Sequence, residues 1–245
     1  MSTLLLRLAG PMQSWGLQSR YLDRDTGLEP SKSGVIGLLC AALGRTVTEP
    51  LVDLAKLTMG VRVDREGVPQ ADFQTTRDVF IADGSGISQF PTVSTRHFLS
   101  DAMFLVGLES DDEAFLIMLA KAVEHPKWQL YLGRKSYTPS IPVFFHARPA
   151  GFEGPAGVPS VVNLSLRDAL LGYPLLCKPR PRQARLRVVI EINEVTNMQD
   201  SVSTRRDVPV SFAERKFSSR LVRTEWIDTP RDPAIVADII NTQTR

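Results

Sequence analysis

Two things this chain has little of are cysteine and histidine. Only Cys40 and Cys177 occur in 245 residues, one inside an apolar helical pattern and one beside a proline-rich turn. That excludes a disulfide framework and fits a reduced, cytoplasmic setting. The three histidines, His97, His125 and His146, are scattered, and neither cysteine has a partner at ligand spacing, so no metal site is predicted. There is no nucleophile elbow, no phosphate loop ending in Gly-Lys-Ser/Thr and no dinucleotide fingerprint, so no cofactor is expected. No apolar run is long enough to span a bilayer. Leu4-Leu5-Leu6, closed by Arg7, is too short for a signal peptide. Net charge is also nearly absent, at +2, and says little about partners. The 43% hydrophobic and 23% charged content is that of an ordinary globular chain, long enough for one large domain or two small ones.

What is present centres on residues 30–44. Val35, Leu38, Leu39, Ala42 and Leu43 fall at i, i+3, i+4, i+7 and i+8, one apolar helical stripe. Ser31 or Ser33 suits the N-cap, and Gly44 suits the left-handed residue past the end. Gly34 and Gly37 weaken a helix, so they point to close approach by another backbone or a ligand. Lys32 stands at the positive end of the helix dipole, where phosphate is favoured. Tight packing on a sheet and direct phosphate contact both fit these residues.

In chain order, Thr3 to Ala9 reads as a buried strand interrupted by Arg7, then a break at residues 10–16 and a polar loop with Arg20, Tyr21 and Arg24. After the helix come a short one over Glu49–Leu57, a strand over Met59–Asp64 and an extended arm from Ala71 to Asp78. Val79 to His97 carries Phe80, Ile81, Ile87 and Phe90 around Gly84-Ser85-Gly86, two arms joined by a glycine tip. So long a segment with exposed apolar residues marks a partner surface. Ala102–Leu108 is a strand, Ser110 or Asp111 caps a helix to Glu124, and Pro142–His146 is a further strand. The order strand, helix, strand, strand, helix, strand predicts an α+β, ferredoxin-like domain over residues 1–149, with a β-hairpin inserted at about 79–97. Residues 150–159 read as a Gly/Pro-rich linker. Residues 150–245 read as a smaller basic, β-rich region with Arg180, Arg182, Arg185, Arg187, Arg205, Arg206, Arg215, Lys216, Arg220 and Arg223, and a terminal helix over Asp232–Ile240.

Arg96-His97, Gly133-Arg134-Lys135-Ser136 and Arg205-Arg206 are predicted in loops beside strands. Arginine there can grip phosphate bidentately while glycine frees backbone donors. Trp15, Phe90 and Tyr137 are candidates for stacking on unpaired bases. On one ferredoxin-like scaffold these favour single-stranded RNA.

Leu6-Arg7-Leu8-Ala9-Gly10-Pro11-Met12-Gln13-Ser14-Trp15-Gly16, with residues 30–39, resembles the CasD family, the subtype I-E branch of the CRISPR-associated "Cas five" proteins of the RAMP superfamily. Tyr131-Leu132-Gly133-Arg134-Lys135-Ser136 matches a family motif. Arg206-Asp207-Val208-Pro209 and Arg215-Lys216-Phe217-Ser218-Ser219-Arg220 resemble its C-terminal pattern. The resemblance implies an RNA-binding, non-catalytic subunit that holds the 5′ handle of a CRISPR RNA in a Cascade complex. It would touch the backbone subunit, the large subunit and, indirectly, target DNA. It marks Gln13, Ser14, Trp15, Lys32, Ser33, Arg96, His97, Gly133, Arg134, Lys135, Ser136, Arg205 and Arg206 as RNA-binding candidates, and the inserted arm as the family's thumb. The alternative is a metal-independent endoribonuclease using Arg96-His97, helped by Lys135 or Tyr137. A small-molecule enzyme on this fold has no site to support it.

Overall fold

The computed structural model describes residues 1–16, 22–81, 83–88, 90–177, 184–195 and 201–229. Arg20, Tyr21, Arg180, Arg182 and the predicted helix at Asp232–Ile240 lie outside them. The elements are β1 (Ser2–Ala9), β2 (Met12–Gln13), β3 (Asp23–Arg24), α1 (Lys32–Leu43), α2 (Val52–Ala55), β4 (Thr58–Arg65), β5 (Val68–Thr76), β6 (Thr92–Ser100), β7 (Met103–Ser110), α3 (Glu113–Glu124), β8 (Val161–Val162), α4 (Leu166–Gly172), β9 (Arg185–Ile192), β10 (Ser201–Ser211) and β11 (Lys216–Asp228).

A seven-stranded sheet has the order β10-β11-β9-β4-β7-β1-β8. β7 lies antiparallel between β1 and β4, which are joined through α1. β1 is buried on both faces. Leu4, Leu6 and Leu8 meet the apolar sides of α1 and α3, while Leu5 meets α4. This alternation is what a central strand covered by helices requires. Arg7 interrupts the apolar run without reaching water. Its guanidinium donates to the Pro142 carbonyl at 3.2 and 3.1 Å and lies 5.3 Å from the Phe145 ring centre.

Several sequence expectations are corrected. Pro142–His146 is not a strand. Pro139 and Pro142 have no N–H to give a ladder, Phe145 N–H is taken by the Ser160 hydroxyl, and β8 pairs with β1 instead. The helix expected over Glu49–Leu57 is confined to α2. α3 is capped by Asp112, whose carboxylate accepts from Phe115 N–H at 2.9 Å, rather than by Ser110 or Asp111. Residues 150–159 are held in a folded loop, where Arg148 donates to the carbonyls of Gly154, Pro155 and Val158 and Asn163 N–H, just after β8, donates to Glu153 O at 2.7 Å. β9 pairs with β4, so the strands on either side of residue 150 share one sheet.

The inserted arm is longer than Val79–His97. β5 and β6 pair from Val68↔Ser100 to Thr76↔Thr92, and the Phe80↔Ile87 bridge stands beyond them. At its tip Gly84 and Gly86 take φ of 80° and 130°. The base of β6 pairs with β2 and β3, which joins the arm to the loop after β1.

Candidate nucleic-acid interface

The turn after Leu132 organises one face of the molecule. Gly133 has φ 88°, and a Cβ there would run into the Ser14 carbonyl oxygen, so only glycine fits. Ser14 N–H donates to Leu132 O at 3.1 Å and Ser14 Oγ donates to His97 O at 3.0 Å. Arg134 follows. Its Nη2 donates to His97 O at 3.0 Å and Nη1 donates to Tyr137 Oη at 3.0 Å. Thus Ser14, His97, Gly133 and Arg134 come together from β6 and two loops.

Around this turn Arg24 stands in register opposite Arg96 and its carbonyl accepts from Arg134 Nη2 at 3.4 Å, with Arg215 within electrostatic reach. Arg24 from β3 is exposed, and its guanidinium is held below the ordinary range. Partial burial comes first among the causes, followed by the like charges of Arg96, Arg134 and Arg215. Like charges gathered near water are unfavourable to one another, and an anion placed among them relieves that repulsion. His97 lies beside them, with Nε2 3.2 Å from Asp23 Oδ1.

Other predicted residues stand elsewhere. Lys32 is not open to phosphate. It is 2% exposed, with Nζ 2.9 Å from both carboxylate oxygens of Glu191. Its backbone N–H donates to Asp207 Oδ2 at 2.7 Å, so protein carboxylates already take the positive helix end. Burial, ahead of these charges, pulls the Lys32 pKa down. Trp15 is buried against Gly34, where a Cβ would come 2.8 Å from its ring. Gln13 is buried and donates to Ala102 O at 2.8 Å. Tyr137 is buried too, which removes it as a stacking surface. Arg205 and Arg206 lie in β10 rather than a loop, because the strand continues through two bulges against β11. Arg205 pairs with Glu29 at 2.7 Å and Arg206 is exposed. Arg96 and His97 likewise lie within β6.

Ser33, Gly133 and Lys135 line a groove of about 620 Å³ along α1. Lys135 and Ser136 are exposed. The apolar arm is exposed as well, with Phe73 at 71% and Phe80 and Phe90 at 78%. Arg24 was visible in the sequence as a basic loop residue, and Arg215 as part of the C-terminal basic run. No spacing signals that Arg215, in the β10–β11 turn, comes within electrostatic reach of Arg24 on β3. Among the described residues there is no cluster of His, Cys, Asp or Glu suited to a metal ion, and no helix long and apolar enough to cross a membrane.

The family model described as CRISPR-associated protein (Cas_Cas5) matches residues 3–223. The CRISPR system Cascade subunit CasD of Escherichia coli (strain K12) is 37% identical over 156 residues, covering 58% of this chain and 70% of that protein. A crystal structure of a Cas protein is 41% identical with a TM-score of 0.69, covering 94% of this chain and 99% of that one. A chain of a CRISPR RNA-guided surveillance complex is 30% identical with a TM-score of 0.75, covering 98% of both. With the match running through nearly all the described strands and helices, the chain belongs to the CRISPR-associated Cas5 family.

Proposed function

We propose that this chain is a non-catalytic, RNA-binding subunit of a type I-E Cascade complex in the cytoplasm, and that it caps the 5′ handle of the CRISPR RNA. The observation that carries the reading is the gathering of Arg24, Arg96 and Arg134 around a rigid glycine turn, with Arg215 within electrostatic reach. Phosphate contacts of this kind supply most of the affinity for a nucleic-acid strand. The similarity to the E. coli Cascade subunit supports assembly with a backbone subunit and a large subunit, and through them with target DNA.

The β1-β7-β4 order, with α1 and α3 on one face, supports a ferredoxin-like RAMP unit built on residues 1–149, its edge strand β8 supplied from just beyond them. Residues 150–245 act as its basic extension. The arm from Val68 to Ser100 serves as the thumb, with Phe80, Ile81, Ile87 and Phe90 turned to a partner. The candidate contacts Gly133, Lys135, Ser136, Ser33 and Arg206 belong to the same reading. Gln13, Ser14 and Trp15 position it, while Lys32 and Arg205 act through the frame behind it.

One observation favours a second reading. His97 beside Asp23 has the arrangement by which a carboxylate orients an imidazole base, as a metal-independent endoribonuclease needs. Incubating the full chain with its repeat RNA in EDTA separates the two. Retention of intact RNA is expected. A defined cut that disappears in His97→Ala supports the ribonuclease.

A further inference from the structure

The two glycines of α1 have different reasons to be there. A Cβ on Gly34 would strike the Trp15 ring, so the fold requires that glycine. A Cβ on Gly37 would meet only Phe212 Cζ, at an ordinary 3.9 Å. Packing does not demand Gly37, yet glycine is the poorest helix former after proline. Gly37 opens onto the groove of about 620 Å³, inside the range of roughly 300–1,000 Å³ typical of small-ligand pockets.

Trp128, Tyr131 and Phe212 line this groove together with Lys135. The backbone N–H of Trp128 donates to Ala41 O at 3.1 Å, which ties its main chain to the end of α1, and the residue is 49% exposed. Lys135 is exposed and carries its charge at the groove. An exposed Trp128 and the partly exposed Tyr131 and Phe212, with a cation beside them, suit a planar heteroaromatic ring on a phosphate chain.

The groove also adjoins the arginine cluster. Gly133 and Lys135 line the groove, while Arg134 between them reaches His97 O and Tyr137 Oη on the cluster side. A strand whose phosphate rests on the arginines would pass this turn directly. Resting on the RNA reading above, we propose that the groove receives one unpaired nucleobase of the bound strand, stacked against its aromatic lining. Gly37 keeps the groove open for it.

The test uses the full chain and a repeat-derived single-stranded RNA, either intact or with one abasic residue at each position in turn, read by fluorescence anisotropy at fixed salt. Wild-type protein should lose about tenfold in affinity at one abasic position. Gly37→Leu and Trp128→Ala should each lose a similar factor on intact RNA, and nothing further when that same position is abasic. Gly37→Ala should melt no lower than wild type. If Gly37→Leu melts lower, the exposed Trp128→Ala carries the comparison alone. Variants that bind intact RNA like wild type, or whose losses add equally at every position, overturn the proposal. So does a flat abasic scan in which the variants instead lose a protein partner. Wild-type chain that binds no RNA at all overturns the RNA reading itself.

Discussion

Lys32 Nζ sits 2.9 Å from both carboxylate oxygens of Glu191, across the junction between the first turn of α1 and the end of β9. Arg220 on β11 joins the pair, bonding Glu191 at 3.3 Å and Asp207 at 2.7 Å. Asp207 returns to the Lys32 N–H. The closed network ties the first helix to the C-terminal strands. Removing one partner would leave buried charge uncompensated, which costs about 3–5 kcal/mol. Glu191→Ala is therefore expected to lower the unfolding free energy by about 3 kcal/mol. Urea denaturation measures it. A loss below about 1 kcal/mol, the level of a surface ion pair, would contradict the network's role.

Asp207 gives that network a pH signature. Burial, the largest influence, would raise its pKa. The hydrogen bond and charge of Arg220, with the Lys32 N–H, outweigh burial and bring it below its ordinary 3.8. A carboxylate depressed by folding contributes stability that is complete above its unfolded pKa and fades as pH falls through the folded one. Wild type should therefore melt above Asp207→Asn by a constant margin near neutrality, and the margin should shrink once pH falls below about 4. Thermal melts across that range check this, and a margin that widens on acidification would contradict it.

The arm yields a prediction that separates folding from assembly. β5 and β6 already close at Thr76↔Thr92. Replacing residues 77–91 with a short Gly-Ser link should leave the melting temperature within a few degrees, because surface loops change stability only slowly with length. Capture of the neighbouring complex subunit should fail, since exposed Phe80, Ile87 and Phe90 would be gone. Unfolding of the variant, or normal assembly with correctly bound RNA, would contradict the thumb reading.

Parts of this molecule were legible because the signals are local. Ser31 caps α1 through its Oγ, which accepts from Gly34 N–H, and Gly44 takes φ 73° at the other end. The alternation of β1 and the stripe of α3 were equally readable. Lys32 was misleading because its partners Glu191 and Asp207 are more than 150 residues away, and no periodicity reports a distant carboxylate. Trp15 reads as an exposed aromatic in a glycine-rich turn, yet Gly34 lets it sink against α1. β8 holds two residues and leaves no periodic trace. Arg134 could be singled out from its glycine turn. Its meeting with Arg24, and the reach of Arg215 to Arg24, depend on how β3 and the β10–β11 turn are placed in three dimensions.

The central claim is that the arginine cluster holds an RNA strand by its phosphates. Its most direct test is the salt dependence of binding to repeat RNA, measured in EDTA for wild type, Arg24→Ala, Arg134→Ala and Arg205→Ala. Each lost contact to a single strand should flatten the plot of log affinity against log salt by about 0.7. Arg24→Ala and Arg134→Ala are expected to show that change with the RNA still intact. Arg205→Ala, whose guanidinium is already paired with Glu29, should keep the wild-type slope. Unchanged slopes for both Arg24→Ala and Arg134→Ala would contradict the account.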